Sequence, residues 1–197
     1  MLNIAVLVSG SGSNLQAIID SVEKGEINGK IVTVVSNKPG VYALERAKIH
    51  NIPSCVIESK GNLHFTSQLL KHLKENNVDL IVLAGFLCIL KEEILNQYKN
   101  KIINVHPSLI PSFCGDGFYG LKVHEAALNY GVKVTGATVH FVNEIPDGGE
   151  IIMQKAVAIR ENDTPETLQK RVMRLAEWKI LPLSVEKVCS ELIEKGN

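Results

Sequence analysis

The chain has 197 residues, 21 Lys and Arg against 21 Asp and Glu, and a hydrophobic fraction of 45%. This length and apolar content are enough to bury one substantial core, so we expect a single domain over residues 1–197. The balanced charge removes the usual electrostatic signal for nucleic acid or an anionic membrane surface and favours small-molecule partners.

The cysteines and the N-terminus indicate a cytoplasmic protein. Cys55, Cys88, Cys114 and Cys189 lie far apart with no Cys-x-x-Cys spacing, which is unlike a zinc site or a disulfide framework. The opening MLNIAVLVSGSG lacks the basic start and the long apolar core of a signal peptide. We therefore expect reduced thiols, no metal, no membrane association and no nucleic-acid partner.

Short apolar runs alternate with helical patterns over the first half of the chain. The runs predict strands over residues 3–8, 31–36, 53–58, 79–85 and 101–105. Residues 14–26 and 65–76, which lie between runs, have the periodicity of amphipathic helices. This alternation predicts a Rossmann-like α/β fold, in which helices cover both faces of a mostly parallel twisted sheet.

The C-terminal part departs from this alternation. Residues 133–142 and 150–159 both have strand character and are separated only by the bend NEIPDGG, which predicts antiparallel strands near the C-terminal edge of the sheet. A long C-terminal helix should follow, because Asp163 or Thr164 can cap it and Pro165 suits its first turn.

Residues 107–122 form the longest segment without a predicted element. They are rich in Gly, Pro and aromatic residues. A loop of this length in a compact domain is more often functional than idle. Whether residues 112–124 are ordered before a substrate binds is left open.

Residues 10–14, GSGSN, connect the first strand to the first helix. The N–H groups at a helix N-terminus attract anions, so Gly12, Ser13 and Asn14 form a candidate phosphate site. An NAD fingerprint would need a third glycine at Leu15 and an acidic residue at the end of the second strand, where the chain reads VVSNKPG. NAD is therefore disfavoured, and a tight turn that uses glycine only for its geometry is the alternative.

The fifth strand leads into the sequence NVHP. Residues two apart in a strand project to the same face, so Asn104 and His106 can converge on one substrate atom where ligands of open α/β sheets bind. An imidazole can carry a proton near neutral pH, and an amide can donate a hydrogen bond to an oxyanion. For His106 taken alone, the alternative is a structural histidine whose ring nitrogens are hydrogen-bonded within the fold.

A carboxylate that could serve this pair lies in the bend PDGGE. Asp147 precedes Gly148 and Gly149, where the backbone can approach a ligand closely. Near His106, its charge would favour the protonated imidazole and could hold a water. An ordinary turn aspartate is the alternative.

Four segments carry a resemblance to a known family. VLVSGSGSNLQAII, LAGF, INVHPSLIPSF and VHFV…DGGEIIMQ, in this order, resemble the folate-dependent phosphoribosylglycinamide formyltransferases of purine synthesis. The resemblance covers nearly the whole chain and implies one formyltransferase domain, with a phosphate-binding N-terminal half and a folate-binding C-terminal half. HPSLIP is shared by the wider superfamily, so SGSGSNLQAI is the more discriminating segment.

The resemblance implies that 10-formyltetrahydrofolate donates a formyl group to the amine of glycinamide ribonucleotide, without a metal. Asn104 and protonated His106 would stabilise the oxyanion of a tetrahedral intermediate. His106 would also shuttle the proton to the departing folate nitrogen, and Asp147 would sustain the charge on His106 and position a water. A monomer or a homodimer is expected.

The resemblance also implies two sets of binding residues. The ribonucleotide would contact Gly12, Ser13, Asn14, Arg174 and Glu177. The folate would contact Leu87, Cys88, Ile89, Leu90, Asn104, Val142, Asn143 and Asp147.

Four departures from the family pattern bear on these residues. Cys88 stands where relatives carry an arginine for the glutamate tail of the folate, and a second tail arginine has no clear counterpart near ESKGNLHF, where Lys60 is a weak candidate. The segment CGDGFYGLKVHEAAL is longer than its equivalent. RVMRLAEW is one residue longer than its family equivalent, so the assignment of Arg174 as a binding residue is less secure than that of Glu177.

Three other functions are weighed against this one. The formyltetrahydrofolate hydrolase carries an added N-terminal domain, whereas Met1 lies immediately before the first strand here. The methionyl-tRNA formyltransferase carries an added C-terminal domain and an excess of basic over acidic residues. A non-catalytic module that senses a phosphorylated ligand is the third alternative, and the joint presence of Asn104, His106 and Asp147 argues against it.

Overall fold

The computed structural model describes residues 1–59 and 63–196, in which seven strands form one sheet. The strands are β1 (Leu2–Val8), β2 (Gly29–Ser36), β3 (Ser54–Val56), β4 (Leu80–Leu83), β5 (Ile102–His106), β6 (Val134–Phe141) and β7 (Ile151–Ala158). Their order is β3-β2-β1-β4-β5-β6-β7. Strands β1 to β5 pair in parallel, and β6 pairs antiparallel with both β5 and β7, which confirms the predicted architecture.

Seven α-helices lie in the described residues. They are α1 (Ser13–Glu23), α2 (Tyr42–Ile49), α3 (Phe65–Glu75), α4 (Glu92–Gln97), α5 (Leu121–Tyr130), α6 (Pro165–Val172) and α7 (Trp178–Glu194). A π-helical turn, Met173–Glu177, joins α6 to α7 without a break. The predicted long C-terminal helix is therefore present, and Thr164 caps it by accepting a hydrogen bond from the Thr167 N–H.

The core lies on both faces of the sheet because the buried strands are apolar at consecutive positions. In β1, Ile4 and Val6 pack in one cluster with α1 and α7, whereas Ala5 and Leu7 pack in a second cluster with α3 and α4. This alternation follows from the period of two in a strand. No helix among the described residues is long and apolar enough to cross a membrane.

Two predicted boundaries differ from the structure. Helix α5 begins at Leu121, inside the segment 107–122 that has no predicted element. It buries Val123 and Ala127, and this packing outweighs the nearby glycines and prolines. Strand β3 covers only Ser54–Val56 of the predicted 53–58, because it lies at the sheet edge and pairs with β2 alone.

Candidate active site

A cavity of about 820 Å³ opens where β1, β4 and β5 end. Its lining includes the residues that follow β1, those that follow β4, the end of β5, and the bend at 143–147. Strand β1 lies between β2 and β4, so the chain switches direction across the sheet here. Ligands of open α/β sheets bind at such a switch point.

One end of the cavity is the glycine loop, residues 10–14. Gly12 lies at φ +73°, in the left-handed region that favours glycine, and no side chain caps α1. A Cβ on Gly12 would lie 2.7 Å from the Cβ of Ala43, so packing against α2 also requires glycine. The turn and the packing both need Gly12, and the first N–H groups of α1 remain available to an anion.

Asn14 and Glu177 meet at this end. Nδ2 of Asn14 donates to Oε2 of Glu177 over 2.7 Å, and both residues are buried. Burial raises the pKa of Glu177 to about 7, although the hydrogen bond from Asn14 acts in the opposite direction. This carboxyl therefore keeps its proton to a much higher pH than an exposed glutamate does.

The π-helical turn Met173–Glu177 lies within RVMRLAEW, the segment that the family resemblance predicts to be one residue longer than its equivalent. Such turns absorb an extra residue within a helix and are frequent at functional sites. Glu177 and Met173 line the cavity, as does Gln169 one turn earlier. Arg174 is exposed and does not line it, so the structure brings Glu177 but not Arg174 to the glycine loop.

The other end of the cavity is a histidine cluster around β5. Asn104 and His106 both line the cavity from this strand, as the spacing predicts. Nδ2 of Asn104 lies 3.2 Å from Nε2 of His140, its cross-strand partner on β6. An amide nitrogen carries two hydrogens, so this contact leaves one donor free for a ligand.

Asp147 joins this cluster from the bend after β6. Its Oδ2 lies 3.3 Å from Nδ1 of His106, and its Oδ1 lies 3.5 Å from Nε2 of His140. Oδ2 also accepts a hydrogen bond of 2.9 Å from the N–H of Gly115. Burial would raise the pKa of Asp147, but the adjacent His140 ring, the hydrogen bond from the Gly115 N–H and the charge of His106 outweigh it and lower that pKa. Asp147 is therefore an ionised carboxylate beside two imidazoles.

His106 is held between two acceptors. Its Nε2 lies 2.9 Å from the carbonyl oxygen of Phe113, while its Nδ1 faces Asp147. Only a protonated ring could donate to both. Burial lowers the pKa of His106, and the nearby charge of Asp147 and the Phe113 carbonyl raise it by a smaller amount. The free protein thus favours the neutral ring, and the carboxylate is placed to support the charged one.

Two histidines of this region were not predicted from the sequence. His140 is 2% exposed and contacts both Asn104 and Asp147. His124 on α5 also lines the cavity, and neither ring nitrogen has a hydrogen-bond partner among the described residues. Burial, followed by the charge of His106, lowers the pKa of His124 to about 4. The only sequence signal for His140 was its place in VHFV, within one of the segments that carry the family resemblance.

The residues predicted to contact folate border the same cavity. Leu87, Cys88, Ile89 and Leu90 line it after β4, and Val142 and Asn143 line it after β6. Leu87 and Ile89 are 54% and 76% exposed, so the rim presents apolar side chains to a ligand. The Leu87 N–H donates to Ser9 Oγ over 2.8 Å, which ties the rim to the end of β1. Lys60 lies outside the described residues.

The described residues contain no group of three or more His, Cys, Asp or Glu that could hold a metal ion. All four cysteines are unpaired in the structure. Cys88 borders the cavity, whereas Cys189 is buried in the core.

Comparisons with known proteins agree with this fold. The profile of a family described as formyl transferase matches residues 2–185. The phosphoribosylglycinamide formyltransferase of Haemophilus influenzae is 42% identical over 94% of this chain and 86% of its own length. The crystal structure of glycinamide ribonucleotide transformylase 1 from Symbiobacterium toebii superposes with a TM-score of 0.90 at 38% identity, covering 97% of this chain and 89% of that one.

Other relatives are much longer than this chain. The human trifunctional purine biosynthetic protein adenosine-3 is 43% identical over 98% of this chain, but the chain spans only 19% of its length. The bovine and chicken proteins of the same name have the same 19% share.

Proposed function

The chain belongs to the formyl transferase family, and we propose that it transfers the formyl group of 10-formyltetrahydrofolate to the amine of glycinamide ribonucleotide. The products are formylglycinamide ribonucleotide and tetrahydrofolate. One observation carries the proposal: a single cavity joins the glycine loop to Asn104, His106 and Asp147. A phosphorylated acceptor and a formyl donor can therefore meet in it. Residues 1–197 would form one such domain.

The proposed reaction is a direct transfer. The acceptor amine forms a bond to the formyl carbon, the bond from that carbon to the folate nitrogen breaks, and one proton passes from the amine to this nitrogen. The free N–H of Asn104 donates to the oxyanion of the tetrahedral intermediate. His106 carries the proton and, when charged, also stabilises the oxyanion, with the substrate taking the place of the Phe113 carbonyl at Nε2.

Asp147 acts through His106 in this scheme. Its carboxylate faces Nδ1 and favours the imidazolium that forms during the transfer. Orientation of two substrates, an oxyanion donor and proton transfer are together large enough to account for catalysis of this kind.

The two substrates would bind at opposite ends of the cavity. The ribonucleotide phosphate would lie on Gly12, Ser13 and Asn14, with Glu177 against the same substrate. The folate ring would lie on the rim, made of Leu87, Cys88, Ile89, Leu90, Val142 and Asn143. The cytoplasmic location and the choice between monomer and homodimer stay predictions.

An absorbance assay of folate deformylation tests the proposal. We expect deformylation to require glycinamide ribonucleotide and to yield one formylated product per folate consumed. An equal rate of deformylation without acceptor would identify a hydrolase instead. Binding of the ribonucleotide in calorimetry with no turnover would identify a non-catalytic module.

A further inference from the structure

Two basic residues border the glycine loop, and one of them is already hydrogen-bonded within the protein: Arg46 donates from Nε to the Ser11 carbonyl and from Nη1 to Gln16 Oε1, each over 2.9 Å. Among the cavity-lining residues that the structure describes, Lys38 is the only lysine or arginine. The carboxyl groups of Asp116, Glu144, Asp147 and Glu177 line the same cavity. Among the described side chains that line the cavity, Lys38 is therefore the one that can neutralise the negative charge of a bound phosphate.

The backbone at Lys38 is anchored beside the glycine loop. Ser36 Oγ donates to the Lys38 carbonyl over 2.7 Å and accepts from the Lys38 N–H over 3.1 Å. Ser9 Oγ, at the start of the neighbouring loop, donates to Asn37 Oδ1 over 2.7 Å. The register of β1 on β2 pairs Val8 with Ser36, so the two loops leave adjacent strands side by side.

The Lys38 side chain is not committed to another group. It is exposed, and no carboxylate of the described residues forms an ion pair with it. A lysine with a fixed backbone and an uncommitted ammonium group can reach a ligand without breaking an existing contact. Its long stem allows the charge to follow a phosphate on the N-terminus of α1.

The position of Lys38 separates it from the reacting atoms. Strand β2 is three places from β5 in the sheet, so the end of β2 lies about 15 Å from His106 at the usual strand spacing. A charge at this distance, across an open cavity, acts on affinity and not on proton transfer.

We infer that Lys38 is the residue that selects a phosphorylated acceptor, by pairing its ammonium group with the phosphate held on the glycine loop. The inference rests on the proposed function for the identity of the acceptor. It adds a recognition residue to that site and predicts how the site distinguishes a ribonucleotide from its riboside.

The test is to measure by calorimetry how tightly the wild type and Lys38→Met each bind glycinamide ribonucleotide and its dephosphorylated riboside. Lys38→Met should weaken ribonucleotide binding by roughly 10-fold to 100-fold, as for other charged hydrogen bonds, and change riboside binding by less than about 2-fold. Lys38→Arg should recover most of the loss. Lys30→Met is the matched control, because Lys30 is exposed at the start of the same strand and does not line the cavity.

The kinetic readout separates recognition from fold damage. Lys38→Met should raise the KM for the ribonucleotide, leave kcat within about 2-fold, and leave the KM for the folate unchanged. Equal weakening of ribonucleotide and riboside, or an unchanged ribonucleotide affinity, would overturn the inference. So would a wild-type protein that does not prefer the phosphorylated ligand. If the binding measurements came out as expected but the protein transferred no formyl group, the proposed function would be overturned and the role of Lys38 would stand.

Discussion

The two ends of the cavity are built in different ways. The glycine loop presents mostly backbone from one continuous stretch, residues 10–14, joined by Lys38 and Glu177. The histidine cluster combines side chains from β5, β6 and the bend at Asp147 with a backbone N–H at Gly115. The first end suits recognition of a phosphate by dipoles, and the second suits chemistry that needs a movable proton.

The difference predicts separable defects. Damage at the glycine loop should appear in the affinity for one substrate, whereas damage at the histidine cluster should appear in the rate. The variants at His106, Asp147 and Gly12 test that separation, the variant at Glu177 tests the burial of its carboxyl, and the largest expected effect comes first.

His106→Ala should have the largest effect. Turnover should fall by about 10² or more, because the variant lacks both the positive charge and the proton carrier at the reacting atoms. Both substrates should still bind in calorimetry. His50→Ala is the control, since His50 lies outside this cavity and pairs with Glu23. If His106→Ala kept more than about half of the wild-type rate, the catalytic role would be wrong.

Asp147→Asn should have the next largest effect. The carboxylate raises the pKa of His106, so its removal should let burial lower that pKa further. The decline of activity on the alkaline side should then shift to lower pH, with both substrate affinities nearly unchanged. NMR titration of His106 in both proteins checks the cause. An identical titration curve would mean that Asp147 acts by holding water, folate or the Gly115 loop.

Glu177→Gln should change the pH dependence of stability. Burial raises the pKa of Glu177 from 4.5 to about 7, so the folded state holds this proton more tightly than the unfolded state. The wild-type free energy of unfolding should therefore fall as pH rises from about 4.5 through 7, by an amount on the order of 3 kcal/mol. Denaturant titrations at several pH values should show a flatter profile for the variant. Parallel profiles would rule out a raised pKa.

Gly12→Ala should have the smallest effect among these variants. The added Cβ would meet Ala43 and force a left-handed alanine, which should cost about 1–2 kcal/mol of stability. Ribonucleotide affinity should fall more than folate affinity, because the loop shifts under the phosphate. Gly25→Ala is the matched control, since Gly25 is also left-handed at φ +72°, no atom lies within 4 Å of its added Cβ, and it does not line the cavity. Equal losses for both substrates would show that the ends of the cavity are not independent.

Local patterns in the sequence were sufficient for most of the fold. Apolar runs such as residues 3–8 predicted β1, and the bend NEIPDGG predicted the β6–β7 pair. The cap at Thr164 and the shared face of Asn104 and His106 were also predicted. Each of these depends on residues close in the chain, so spacing and side-chain chemistry determine it.

Only the tertiary structure decided which groups meet across long sequence separations. His140 meets Asn104 through the register of β6 on β5, and Gly115 meets Asp147 through the path of a loop. Lys38 borders the glycine loop because β2 lies beside β1. The sequence determined a glycine turn and an Asn-x-His strand end. Strand order and packing determined their partners, because no local pattern encodes which distant segment will lie next to a given strand.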